Sequence, residues 1–223
     1  MKKTALIKRF FGCSGKVAPS IGAFNPADRI NMFWFEDSLR STVYEKKAEA
    51  FMQRWFIQND DFDEACKEFE PFYQWAARGE LSSWNNSRHG YLAHILLLDQ
   101  FPRNLFRNDP RSFETDPMAL ALTREAIETG YERKLHSLER AFVCMPYQHT
   151  EDLEAQREGI EAFRRIWMDS RDPYKETAKG NYDYAIVHKD IVKRFGRFPH
   201  RNEVLGRQST PEELEFLKSG RGF

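Results

Sequence analysis

The sequence predicts an all-α protein, on three observations. Apolar residues recur at i, i+3 and i+4 through most of the chain. No segment sustains the period-two alternation of a half-buried strand. Segments open on Asn, Asp or Thr, often with Pro next, and close on Gly, which are helix start and stop signals.

The elements follow in order. Residues 1–24 carry Lys2, Lys3, Lys8, Arg9 and Lys16 with no acidic residue before Asp28, and read as a mobile basic extension. Lys8 and Arg9 interrupt any apolar core of a secretory signal. A single helical domain is expected over 25–223. Asn25 is an N-cap with Pro26 at the first position and Asp28 in the first turn. A second helix covers roughly Leu39 to Phe56. Asp61 and Glu64 resemble a capping box for a helix bearing Phe62, Phe69, Phe72 and Ala76, with a kink or break at Pro71 and a stop at Gly79. Tyr91 to Leu98 is apolar on every side and implies a helix buried all round. Pro102 stops it, Asp116 caps the next helix before Pro117, and Gly130 closes that one. His136 to Val143 is a short helix ended by Pro146. Thr150 is the expected cap of a helix carrying Leu153, Gln156, Ile160, Phe163 and Trp167 on one face. Asp169 to Tyr182 reads as a long loop. Tyr184, Val187, His188, Ile191 and Phe195 line one further helix, stopped by Gly196. Thr210, Pro211 and Glu213 mark a last helix with a capping box, anchored by Leu214 and Leu217 before Gly220. About nine or ten helices result. Antiparallel pairs of them suit a bundle or a short right-handed solenoid, and no repeat of fixed period decides between the two.

Size and composition restrict function. The 223 residues suit one domain with a sizeable core. Thirty-four basic side chains equal thirty-four acidic ones, so no global field favours nucleic acid or an anionic membrane. Nothing approaches the run of about 20 apolar residues that spans a bilayer. Cys13, Cys66 and Cys144 are scattered and form no CxxC pair, which suits a reducing cytoplasm. Cys144, among Phe142, Val143 and Met145, reads as an inert buried thiol. Neither GxSxG nor a phosphate-binding glycine loop is present.

Three polar clusters fall at helix ends: Asp99, Gln100, Arg103 and Asn104 in LLLDQFPRN; His149, Glu151 and Gln156 in MPYQHTEDLEAQ; and His188, Arg194, Arg197, His200, Arg201 and Asn202 in HKDIVKRFGRFPHRNEVLGR, a stretch that ends on Arg207. That last stretch holds six basic and two acidic residues on backbone broken by two glycines and a proline. Two readings compete. Asp99 and Glu151 pair with arginines and tie helix ends together. Alternatively the clusters converge on one pocket: Arg103, Asn104, Gln156, Arg194, Arg197, His200, Arg201, Asn202 and Arg207 bind a small anion, and His149 or His188 is the acid or base, oriented by Glu151 or Asp99. A metal held by His149, Glu151, His188 and His200 is disfavoured, because the spacing matches no ligand pattern and the arginines repel a cation. No cofactor is indicated.

These residues resemble an uncharacterised, mostly bacterial family, domain-of-unknown-function family nine-twenty-four. The matching pieces are FWFED, RWF, DFDE, LLLDQFPRN, MPYQHTEDLEAQ and FGRFPHRNEVLGRQSTPEELEFL, covering the chain from about Asp28 to its end. Thr150 stands where the family usually has Ser, and His94 interrupts a run that is usually apolar. The resemblance implies a tetratricopeptide-like right-handed superhelix and assigns no activity. Two functions follow as expectations. One is a pocket binding, and in the stronger form transforming, a small anionic or phosphorylated metabolite. The other is a helical adaptor for a peptide or protein partner. Nucleic acid is the weakest partner class.

Overall fold

The structure, a computed structural model, describes residues 25–219. The expected basic extension and Gly220 lie outside them. The described residues form eleven α-helices joined by short turns, with no strand among them.

Helix α1 (Pro26–Phe35) is capped by Asn25, whose side chain accepts from the Ala27 amide at 3.1 Å. Helix α2 spans Ser41–Phe56. The cap of α3 (Asp60–Cys66) is Asn59, not Asp61: Asn59 Oδ1 accepts from the Phe62 amide at 3.1 Å. The expected break then occurs over 67–69, and Pro71 sits in the first turn of α4 (Glu70–Ala77), where its missing N–H costs nothing.

Helix α5 (Arg88–Asp99) is the hub of the first half and packs on α1, α4, α7 and α8. Every residue from Gly90 to Asp99 is buried. Its Leu and Ile side chains are buried almost completely, and each is worth about 1.5–3 kcal/mol. That margin tolerates His94, which meets Asn85 through Nδ1 at 3.0 Å and is pushed down to about 4 by burial. Helices α6 (Phe101–Leu105) and α7 (Asp116–Glu128) follow.

Helix α8 runs Ser137–His149 and carries Pro146 inside it, against the expected end at that residue. Pro146 removes a donor from the Phe142 carbonyl. Burial of every residue from Leu138 to Gln148 against α5, α7, α9 and α10 offsets that cost. The helix therefore runs on past the proline, and this brings His149 to its end. Helix α9 (Leu153–Asp169) is capped by Asp152, whose carboxylate accepts from the Ala155 amide at 2.7 Å; Thr150 instead accepts from the Asp152 amide at 3.1 Å.

The long loop expected at 169–182 is absent. Helix α10 begins at Lys175 and runs to Phe195, so only five residues separate it from α9. Buried Ala178 and Ala185 let it lie along α9, and Gly180 sits where an added Cβ would meet nothing within 4 Å. On its face His188 and Ile191 are buried while Tyr184 and Val187 are exposed. Gly196 ends it in the left-handed region at φ +72°. A short turn over Pro199–Arg201 leads to α11 (Pro211–Lys218), which shows the expected Thr210–Glu213 capping box. Leu214 is exposed, and Phe216 makes the packing contact, 5.0 Å from the Phe195 ring.

The buried apolar side chains form two clusters. The main one runs from Ala27 to Ala185. Ile191, Val192 and Phe198 form a smaller one with Leu153, Phe195 and Phe216. The residues after Gly196 thus hook back onto the start of α9, and the polar clusters lie where hook and main core meet.

Candidate functional site

Five side chains from five parts of the chain meet there. Asp99, at the end of α5, is fully buried. One carboxylate oxygen faces His149 Nδ1 at 2.7 Å, and the other accepts from Gln100 Nε2 at 2.6 Å. A carboxylate only accepts, so Nδ1 carries the imidazole proton. Arg103 of α6 donates to the Asp99 carbonyl and lies 3.6 Å from its carboxylate. Its other end reaches Asp116 in the first turn of α7, at 2.9 Å from Oδ1 and 3.1 Å from Oδ2. Arg201, from the hook, donates to Asp116 Oδ2 at 3.2 Å. Its guanidinium lies 4.4 Å from the Phe113 ring centroid and 4.8 Å from that of Phe198.

The charges of Asp99 and Asp116 cancel those of Arg103 and Arg201. Burial pushes Asp99 up, but the charges of His149 and Arg103 and the hydrogen bonds from His149 and Gln100 more than offset this and hold it well below the usual carboxylate range. His149 moves down: burial and the charge of Arg103 outweigh the pull of Asp99. The pair is therefore a carboxylate beside a neutral imidazole at neutral pH, and the charge of His149 bears on Asp99 only once the ring takes up a proton at lower pH. Among the described residues no hydrogen-bond partner meets His149 Nε2. Burial, with Arg103 next, depresses Arg201 to about 10.

Two more histidines border the site through Phe198. The His188 ring is 5.7 Å and the His200 ring 5.5 Å from the Phe198 ring. His188 Nδ1 donates to the Tyr184 carbonyl at 2.8 Å. Burial pushes His188 down to about 3 and His200, with Arg201 beside it, to about 4.

The other sequence candidates sit apart from this group. Glu151 takes a bidentate bond from Arg207 at 2.7 and 2.9 Å and accepts from the Phe198 amide at 2.7 Å. Arg207 also donates to Asn202 at 2.9 Å. Arg197 forks onto Glu213 at 2.7 and 2.8 Å, and Asn202 donates to the same carboxylate. These residues clamp the hook on itself and on the start of α9. Gln156 donates to the carbonyls of Gln148 and Thr150, closing the end of α8. Asn104 donates to the Gln100 carbonyl, and Arg194 pairs with Glu212 in solvent. Asp116 and Phe113 are the members that sequence reasoning missed. Asp116 is the first helical residue of α7 and not its cap; the side chain of Thr115 does not cap either, and donates to the Leu98 carbonyl. A cap-capable carboxylate beside two buried arginines gives no periodic signal.

Among the described residues no three His, Cys, Asp or Glu side chains gather as metal ligands. A cavity of about 310 Å³ is lined by Tyr73, Gln74, Phe106, Arg111, Glu114 and Met118, none of them a candidate. No helix among the described residues is long and apolar enough to cross a membrane.

A family model described as a bacterial protein of unknown function, DUF924, matches residues 30–221. The solved structure of a protein of unknown function, ATU0120 from Agrobacterium tumefaciens, is similar at 34% identity with a TM-score of 0.72, over 87% of this chain and 97% of that one. No curated protein matches. The motifs that build the site, DQFPRN, MPYQHTED and GRFPHRN, all lie inside the matched span. On that match the chain belongs to the DUF924 family.

Proposed function

We propose that this protein binds a small anionic metabolite where α5, α8 and the 199–201 turn converge, and moves a proton on it with His149. The observation that carries this reading is the buried Asp99–His149 pair at 2.7 Å. Asp99 fixes the tautomer and orientation of the ring, and the neutral imidazole keeps a lone pair on Nε2 for a substrate proton. Arg201 supplies the anion-binding group, with His188 and His200 beside it. The buried Cys66 and Cys144 thiols, both pushed up by burial, suit a reducing cytoplasm.

A thermal-shift panel of carboxylates, phosphorylated metabolites, nucleotides and divalent metals tests the reading. A ligand selective for the folded state raises the melting temperature by mass action. His149→Asn keeps a donor toward Asp99 and lacks the base. The expected result is an anion that stabilises the wild type and His149→Asn alike and is turned over by the wild type alone. No stabilisation by any anion would overturn the reading.

A second reading is a tetratricopeptide-like right-handed superhelix acting as a protein-binding adaptor. It draws on the sequential packing of α7 on α8, α8 on α9 and α9 on α10. The all-round burial of α5 counts against it, since a superhelix leaves one face of each helix pair open.

A further inference from the structure

Arg201 differs from three fellow arginines in how its Nε–H edge is met; Arg54 shares its buried, unmet Nε, but there Nη2 donates to the Phe33 carbonyl at 2.8 Å. In Arg107, Arg124 and Arg197 the Nε–H and Nη2–H edge forks onto a single carboxylate, that of Asp63, Glu158 and Glu213 respectively, at 2.7–2.9 Å. Arg201 is the most buried of the four. Among the described residues it contacts Asp116 through Nη1 alone, and its Nε, closed off from solvent, has no acceptor there. A buried donor left unmet carries its full desolvation penalty, and a larger one on a charged group. The guanidinium is not at liberty to turn and satisfy itself. Asp116 holds one end, and the rings of Phe113 and Phe198 pack against its plane.

We infer that the Nε/Nη2 edge of Arg201 is the seat of a ligand carboxylate. The inference rests on the anion-site reading above and names the chemical class that site takes. Two planar groups with matched donors and acceptors make the fork–fork contact that this chain already uses repeatedly with its own carboxylates. The charge balance limits how much negative charge such a ligand can carry. Asp116 is shared between Arg103 and Arg201, and the four charges around it already cancel. A carboxylate brings one negative charge, which gives Arg201 a partner of its own. A phosphate dianion brings surplus charge into a buried site and offers tetrahedral oxygens to a planar fork.

The test reads the arginine Nε–H signals of the wild-type protein by ¹H–¹⁵N NMR. Arg201→Lys assigns the signal by its loss. Phe113→Leu assigns it independently, because removal of the adjacent ring current moves it. The probes are acetate, succinate and benzoate against methanesulfonate and inorganic phosphate. A saturable shift of the Arg201 signal with a carboxylate, at about tenfold lower concentration than with methanesulfonate, is the expected result. Phosphate or methanesulfonate moving that signal in preference to every carboxylate would overturn the carboxylate class and leave the anion site standing. An anion that raises the melting temperature without moving the Arg201 signal would overturn the seat and again leave the site. Silence toward all five probes in both measurements would remove the inference and the reading together.

Discussion

Replacing Asp116 by Asn removes one charge from between two guanidinia and leaves the shape of the side chain intact. Arg103 and Arg201 both reach that carboxylate, at 2.9 and 3.2 Å, from side chains only 21% and 8% exposed. A pair of unit charges about 4 Å apart contributes about 4 kcal/mol at an effective dielectric near 20. Part of this is returned because the amide is easier to desolvate than the carboxylate. The neutral amide would also leave the Arg103–Arg201 repulsion unscreened, and that repulsion already depresses Arg201. Breaking a buried pair on one side costs about 3–5 kcal/mol, and we expect Asp116→Asn to fall in that range. The comparison is Glu212→Gln, which unpairs Arg194 where both side chains are more than half exposed and where less than about 1 kcal/mol is expected. Urea unfolding followed by circular dichroism measures both, with the loss read from the midpoint at unchanged slope. An Asp116→Asn protein within about 1 kcal/mol of the wild type, or equal to Glu212→Gln, would refute the view that this carboxylate joins the hook to the core.

The remaining predictions concern protonation and packing. His94, His188 and His200 are depressed to about 4, 3 and 4 from an unfolded value near 6.5. The unfolded chain therefore takes up protons that the folded one refuses, so stability is complete above about pH 6.5 and is lost as pH falls toward 4. Each histidine contributes a slope of about 1.4 kcal/mol per pH unit inside that window. Urea midpoints at about pH 7 and about pH 5.5 should differ strongly, and equal midpoints would contradict the burial of these rings. Gly159→Ala and Gly180→Ala should move the melting temperature in opposite directions. An added Cβ at Gly159 would meet Tyr147 Cβ at 2.5 Å, where α9 crosses α8, and overpacking of that kind costs about 1–3 kcal/mol. At Gly180 there is space, and alanine gains up to about 1 kcal/mol of helix propensity.

How far the sequence discloses the molecule depends on the range of the interaction. Caps with their partner two to four residues away were legible, as at Asn25, Thr210 and Gly196. So was the burial of α5, because an apolar run has no polar face to expose. Pro146 misled because a local penalty was set against packing on four helices, and the packing wins. The stretch 169–182 misled because its exposed face is highly charged, while the residue that seats it against α9 is a single small buried alanine, Ala178. At the site, DQFPRN and MPYQHTED supplied Asp99, Arg103 and His149. Arg197 and Arg207 looked like anion ligands, yet their partners Glu213 and Glu151 lie 16 and 56 residues away. A helix cap and a distant ion pair use the same residue types, so Glu213 serves both roles and composition does not separate them.

The central claim is the state of His149: neutral at pH 7, with the proton on Nδ1 toward Asp99 and a bare Nε2. ¹⁵N NMR of the histidine ring nitrogens, with His149→Asn assigning the signals, measures it directly. The account predicts a protonated Nδ1 and an unprotonated Nε2 that persist as pH is lowered below the ordinary histidine range. An imidazolium at pH 7, or a proton on Nε2 in place of Nδ1, would contradict it.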